Sequence, residues 1–187
     1  GLNGDDGDVA VDETGINNGT WVNAYSGMNS GTAGNGGYFD GTGDYVDALV
    51  PSYSNSHTGA ISVFVKLDPS FSSTGAVFST NDRNSNKWFY ARVSSGKQLS
   101  FGTYINTASP KGNAVLGTTV LDLDTWYHII YQSDGSTWTA YINGVEETLT
   151  VADGSNLGNW FADVPGRDDI VFGAESYYGS YPSKTFF

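Results

Sequence analysis

The sequence has no cysteine, which excludes disulfides, thiolate metal sites and a thiol nucleophile. Cationic side chains are scarce. Eight Lys and Arg stand against 20 Asp and Glu, a formal charge of −12. Nucleic acid and anionic membrane need Lys and Arg to offset phosphate, so neither is an expected partner. No apolar run approaches the ~18 residues of a membrane-crossing helix, so no membrane insertion is expected. The sequence opens on Gly1-Leu2-Asn3 without a signal-peptide pattern and stops at Phe186-Phe187, a pair that reads as mid-strand. A mature or excised part of a longer protein is therefore expected.

What is present suits many short strands joined by turns. The 187 residues are enough for one domain with its own core. Aromatics reach 14% and there are 25 Gly; aromatics favour strands, and Gly, Asn, Asp and Ser favour turns. No stretch longer than ten residues keeps a clean helical apolar spacing. Period-2 alternation recurs instead. It predicts strands at Ala60–Leu67, Gly75–Thr80, Lys87–Ser94, Gln98–Ile105, Trp126–Gln132, Trp138–Ile142, Val145–Val151 and Asp169–Ala174. Ser133-Asp134-Gly135 and Asn143-Gly144 read as hairpin turns. Gly37–Asp40 and Tyr45–Leu49 read as an early pair across Gly41-Thr42-Gly43, and Leu157–Val164 as a short helical or irregular turn. This pattern predicts an all-β, antiparallel sandwich or barrel. Residues 1–11 are expected to be a flexible approach and 12–187 the domain.

Four ordered segments resemble the concanavalin A-like lectin/glucanase superfamily, in its laminin G-like and pentraxin-like branch. They are Asp12-Glu13-Thr14-Gly15-Ile16-Asn17-Asn18-Gly19-Thr20 and Gly37-Tyr38-Phe39-Asp40-Gly41-Thr42-Gly43-Asp44-Tyr45-Val46, then two later ones. The third is Trp126-Tyr127-His128-Ile129 with Asp134-Gly135 and Tyr141-Ile142-Asn143-Gly144; the fourth is Ile170-Val171-Phe172-Gly173-Ala174. The resemblance implies a jelly roll of two antiparallel sheets, serving adhesion or glycan recognition, often with Ca²⁺. Such domains usually close with a strand that this sequence stops short of. Either the domain continues past residue 187 or its last strand comes from elsewhere, leaving an edge open to self-association.

Enzymatic constellations are missing. A retaining glycosidase on this fold needs carboxylates alternating along one strand face. Only four Glu exist: Glu146 and Glu147 are adjacent, Glu13 lies in a turn-rich loop, and Glu175 stands alone. Of two His, His128 matches the family's structural position and His57 lies in a polar loop. No Gly-x-Ser-x-Gly elbow is present. Trp126 and Trp138 are expected in the core, and Trp160 is the tryptophan expected at the surface.

Two loops read as oxygen-rich: Asn81 to Asn86, and Glu175 to Tyr181. The resemblance implies a pair of loops meeting at one face, with Asp82, Asn84 and Glu175 as Ca²⁺ ligands. Asn81 and Asn86 would add hydrogen bonds, and Tyr177, Tyr178 and Tyr181 would offer faces for sugar stacking. The competing reading is an ordinary polar turn and a Tyr-rich loop. A separate structural Ca²⁺ could use Asp12, Asn17, Asp40 and Asp44, since hard oxygen donors suit it. Asp side chains that bond their own turn backbone are the alternative there. The acidic surface itself reads as solubility or as cation binding.

The expected function is a non-catalytic carbohydrate-binding or adhesion domain of an extracellular, cell-surface or virion protein. A structural or protein-interaction module, contacting other domains or its own copies, is the alternative. A polysaccharide glycosidase or lyase is the third.

Overall fold

Apolar side chains alternate with polar ones in several runs of the chain, and most of these runs become strands. The computed structural model describes residues 8–23, 29–31, 34–48, 55–82 and 84–175. Its strands are β1 (Val9–Ala10), β2 (Gly19–Val22), β3 (Asn29–Gly31), β4 (Gly34–Gly36), β5 (Tyr45–Ala48), β6 (Gly59–Lys66), β7 (Gly75–Asp82) and β8 (Lys87–Val93). They continue with β9 (Leu99–Ile105), β10 (Gly112–Gly117), β11 (Trp126–Ser133), β12 (Trp138–Ile142), β13 (Val145–Glu146), β14 (Leu149–Asp153) and β15 (Ile170–Phe172). Among the described residues, nine strands form one sheet in the order β1-β2-β5-β15-β7-β8-β9-β10-β14. Four form a second sheet, β13-β12-β11-β6, and β3-β4 stand as a small ribbon. All strand pairings are antiparallel. The all-β, two-sheet antiparallel sandwich is the observed fold.

The core lies between the two large sheets. Phe89, Ala91 and Val93 of β8 and Leu99 and Phe101 of β9 face Val65, Ile129, Tyr131, Trp138 and Ala140 from the smaller sheet. Phe101 meets Tyr131 and Trp138 edge-on at 5.2 and 5.6 Å, a favourable aromatic geometry. Alternate residues of β8 and β9 must then face the other way, and they build the open face of the large sheet.

Several expectations are revised. Gly37–Asp40 is not a strand, and β5 pairs with β2 and β15 instead. The Asp40 carboxylate accepts from the Thr42 amide at 2.6 Å, and Gly41 and Gly43 take φ of +79° and +97°, so the segment closes as a turn. The run predicted as one strand over Val145–Val151 divides. β13 pairs with β12, while β14 crosses to the large sheet beside β10. The break falls at Glu147, whose carboxylate turns inward to the Thr118 and Thr119 amides at 2.6 and 2.7 Å. Val9–Ala10, within the expected approach segment, pair with β2. Residues 1–7 and the Phe186-Phe187 end lie outside the described residues.

The tryptophans also sort differently. Trp138 is buried as expected, but Trp126 is 36% exposed, because its residue parity points outward on β11. Trp160 is only 2% exposed. Its indole packs on Phe161 at 4.9 Å and Phe89 at 5.1 Å, under the backbone of Gly59. The irregular Leu157–Val164 segment holds one 3₁₀ turn, Phe161–Asp163.

Candidate functional site

Three side chains of β8, Trp88, Tyr90 and Arg92, point away from the core because Phe89, Ala91 and Val93 point into it. The β8–β9 register sets Tyr104 beside Trp88, Gly102 beside Tyr90 and Ser100 beside Arg92. On β10, Gly112 and Ala114 continue those rows. The side chains on this part of the open face are therefore small in the middle and large around it. A Cβ on Gly102 would collide with the Asn113 carbonyl, and one on Gly112 with the Asp153 carboxylate. The result is a hollow of about 300 Å³ whose lining includes Trp88, Tyr90, Arg92, Tyr104, Asp153 and Glu175.

Its chemistry is mixed. Trp88 and Tyr104 stack at 4.3 Å with an interplanar angle of 18° and stand as one half-buried aromatic wall. The Arg92 guanidinium lies 4.0 Å over the Tyr90 ring, and its Nη1 is 3.3 Å from the fully buried Glu175 carboxylate. Burial pushes the Tyr90 phenol above its ordinary pKa; Arg92 opposes that rise and the Glu175 charge adds to it. Ser100 and Asn113 add neutral polar atoms to the wall. Aromatic faces beside hydroxyl, amide and carboxylate groups match a saccharide, which has apolar C–H faces ringed by hydroxyls.

The expected loop site is divided. Asp82 accepts from the Asn84 amide at 2.9 Å, Ser85 Oγ at 2.6 Å and Lys87 Nζ at 3.3 Å. Burial works to raise its pKa, but these donors outweigh it and hold the carboxyl below its usual range. Asn81 is buried in β7, bonded through its backbone to Asp169 and Asp168. Asn84 is exposed, with its amide 3.4 Å from Asp168 Oδ2, and the exposed Asn86 accepts from the Asn106 amide at 3.0 Å. Asp82 pairs with Lys87 at one end of the β7–β8 ladder, and the Glu175 partner Arg92 pairs with Ala76 at the other. Arg92 lies five residue steps along β8 from Lys87, about 17 Å. Asp82 and Asn84 therefore do not share an ion with Glu175, and each carboxylate already meets a basic side chain. The structure does not bring Asp82 and Asn84 together with Glu175, and among the described residues of the expected set only Glu175 lines the hollow. Tyr177, Tyr178 and Tyr181 lie outside the described residues.

The early acidic residues form two self-closed loops. Asp12 Oδ2 accepts from Thr14 Oγ1 and from the Asn17 amide at 3.2 Å. The Thr14 hydroxyl leads in holding Asp12 below its ordinary pKa. Asp44 Oδ2 accepts from the Asp40 amide at 3.0 Å, and burial, with the Asp40 charge adding to it, pushes Asp44 upward. Asp12 and Asn17 meet, and Asp40 and Asp44 meet. Among the described residues, no three His, Cys, Asp or Glu side chains gather as a cation site.

Sequence reasoning missed the hollow, although its signal was present. Trp88, Tyr90 and Arg92 alternate with an apolar triplet inside a predicted strand. Recognising it needed the register that places Gly102 and Gly112 beside them.

Comparison with known proteins agrees with the fold. A search of curated proteins finds no match. Among solved structures, the carbohydrate-binding module CBM40 of the Ruminococcus gnavus IT-sialidase, bound to α2,3-sialyllactose, superposes with a TM-score of 0.57 at 13% identity, covering 70% of this chain and 72% of that one. The LG1-3 region of the laminin α2 chain gives 0.56 at 18% identity, covering 76% of this chain and 26% of that one. The leech intramolecular trans-sialidase, complexed with 2,7-anhydro-Neu5Ac, gives 0.51 at 14% identity over 67% of this chain and 19% of that one. A family model of laminin G type matches residues 39–181, and the chain belongs to the concanavalin A-like lectin/glucanases superfamily.

Proposed function

We propose that this chain is a non-catalytic carbohydrate-binding module whose saccharide lies in the hollow on the open face of the large sheet. The observation that carries this reading is the Trp88–Tyr104 wall standing beside Arg92, Ser100, Asn113 and Asp153 in one depression. The wall covers a sugar's C–H face, and the polar side chains take its hydroxyls. The sialyllactose in the R. gnavus module supports saccharide recognition on this fold as precedent only, because identity is 13%. A parent protein at a cell or virion surface, or secreted, fits a domain of this kind.

A glycan array probed with the purified chain tests the proposal. The expected result is at least one bound saccharide, with the signal lost in Trp88→Ala and Tyr104→Ala. No binding to any glycan would contradict it and favour an adhesive or structural module.

Calcium would enter this reading only as support for the Asp40–Asp44 turn, where two carboxylates meet and each already accepts from a backbone amide. Its role there is to hold the loop, with no part in glycan contact. EDTA is then expected to lower the melting temperature without changing which glycans bind.

A second reading has one observation behind it. Asp153 and Glu175 border the same hollow, so two carboxylates are available for glycoside hydrolysis. Against it, Glu175 is fully buried and ion-paired with Arg92. Release of reducing sugar from a polysaccharide, abolished by Glu175→Gln, would establish it.

A further inference from the structure

We infer that the hollow selects uncharged saccharides and rejects acidic ones, such as those carrying sialic or uronic acids; this rests on the carbohydrate reading of the site. The charge of the lining is the first reason. Among the described residues of the lining, Arg92 is the one cation, while Asp153 and Glu175 are anions, so +1 and −2 leave a formal −1 where the ligand would sit. The whole chain carries −12, which sets a repelling field for an approaching anion.

The state of Arg92 is the second reason. Recognition of a sugar carboxylate typically uses the planar fork of a guanidinium, two N–H groups donating side by side. Here Nη1 is turned to Glu175 Oε2 at 3.3 Å, and one face of the guanidinium is covered by the Tyr90 ring at 4.0 Å. A ligand carboxylate would have to draw Arg92 from a carboxylate that is 0% exposed. Loosening an ion pair to a buried anion is costly, so exchange of one anion for another is opposed. The remaining lining of Trp88, Tyr104, Ser100 and Asn113 is neutral and offers stacking and hydroxyl contacts only. In this arrangement Glu175 is the specificity-determining residue, and it acts through Arg92.

The experiment is a titration of the purified chain at low ionic strength with two sets of probes. The neutral set is cello-, manno-, xylo- and galacto-oligosaccharides. The acidic set is oligogalacturonate, alginate oligomers and 3′-sialyllactose. The expected result is binding of a neutral probe, with every acidic probe weaker by about tenfold or more, and a gap that narrows at high salt as the repulsion is screened. In Glu175→Gln, which releases Arg92, the ratio of acidic to neutral affinity is expected to rise by about tenfold. Asp153→Asn, at an exposed position, should shift the ratio the same way by less, and it keeps the question open to test if Glu175→Gln fails to fold. An acidic probe that binds the native chain as tightly as any neutral one would overturn the inference while leaving the carbohydrate reading intact. So would a ratio unmoved in a folded variant. Failure of every probe, neutral and acidic, would overturn the carbohydrate reading itself, and this inference with it.

Discussion

Two residues carry much of the structural argument. Gly59 lies under the Trp160 indole, where a Cβ would stand 2.6 Å from Nε1 and 3.0 Å from Cε2. Trp160 has little room to yield, being stacked on Phe161 and met edge-on by Phe89. Gly59→Ala is therefore expected to destabilise the fold by about 1–3 kcal/mol, read as a lower denaturant midpoint. Glu147 is the second. It is 8% exposed and accepts from the backbone amides of Thr118 and Thr119 and from the Thr119 hydroxyl at 2.6 Å. Burial works to raise its pKa, but these hydrogen bonds outweigh it, and the net shift is downward. A carboxylate with a lowered folded-state pKa adds stability above its unfolded value and loses it as pH falls through the folded one. Glu147→Gln is expected to cost about 1–3 kcal/mol at neutral pH. The gap between the two proteins should close in acid. A gap that is constant across the pH range would mean the charge plays no part. Asp44 has the opposite sign, since burial raises its pKa and falling pH relieves its cost.

At the scale of elements, alternation made most of the sandwich legible. β6, β8, β9, β11 and β12 fall within a residue or two of where the sequence places them. What alternation could not show was partnership. Tyr45–Leu49 reads as one arm of a hairpin with Gly37–Asp40, yet the neighbours of β5 are β2 and β15, the latter more than 120 residues away. Val145–Val151 keeps a strand-like pattern through Glu147, and only the Thr118–Thr119 amides reveal why the chain changes sheet there. The spacing of the candidate site residues was hidden for the same reason. The loop residues Asp82 and Asn84 were visible as oxygen donors, but their distance from Glu175 depends on the β7–β8–β15 register. The hollow is likewise a product of three strands, with glycines on β9 and β10 making room beside aromatics on β8 and β9. Gly102→Val is expected to disturb the β9–β10 pairing, since its Cβ would strike the Asn113 carbonyl. A loss of stability together with glycan binding is the predicted outcome, seen by thermal unfolding and titration in parallel.

The whole molecule is an acidic two-sheet sandwich, and the open face of its large sheet holds an aromatic, mixed-charge hollow across β8, β9, β10 and β14. Its −12 charge favours solubility and disfavours polyanions, and the alternation of β8 places the ligand groups on the face that the core does not use. A second aromatic surface exists for comparison. Trp126, with Lys66 at 5.9 Å over its ring and Tyr38 nearby, borders a separate depression at the edge of the smaller sheet. The two surfaces make a controlled test. The most direct measurement is calorimetric titration of the native chain, Trp88→Ala and Trp126→Ala with the best saccharide from an array. The account predicts that Trp88→Ala stays folded but loses about tenfold or more in affinity, while Trp126→Ala binds as the native chain does. Undiminished binding by Trp88→Ala, with loss in Trp126→Ala, would contradict it and move the site to the other sheet.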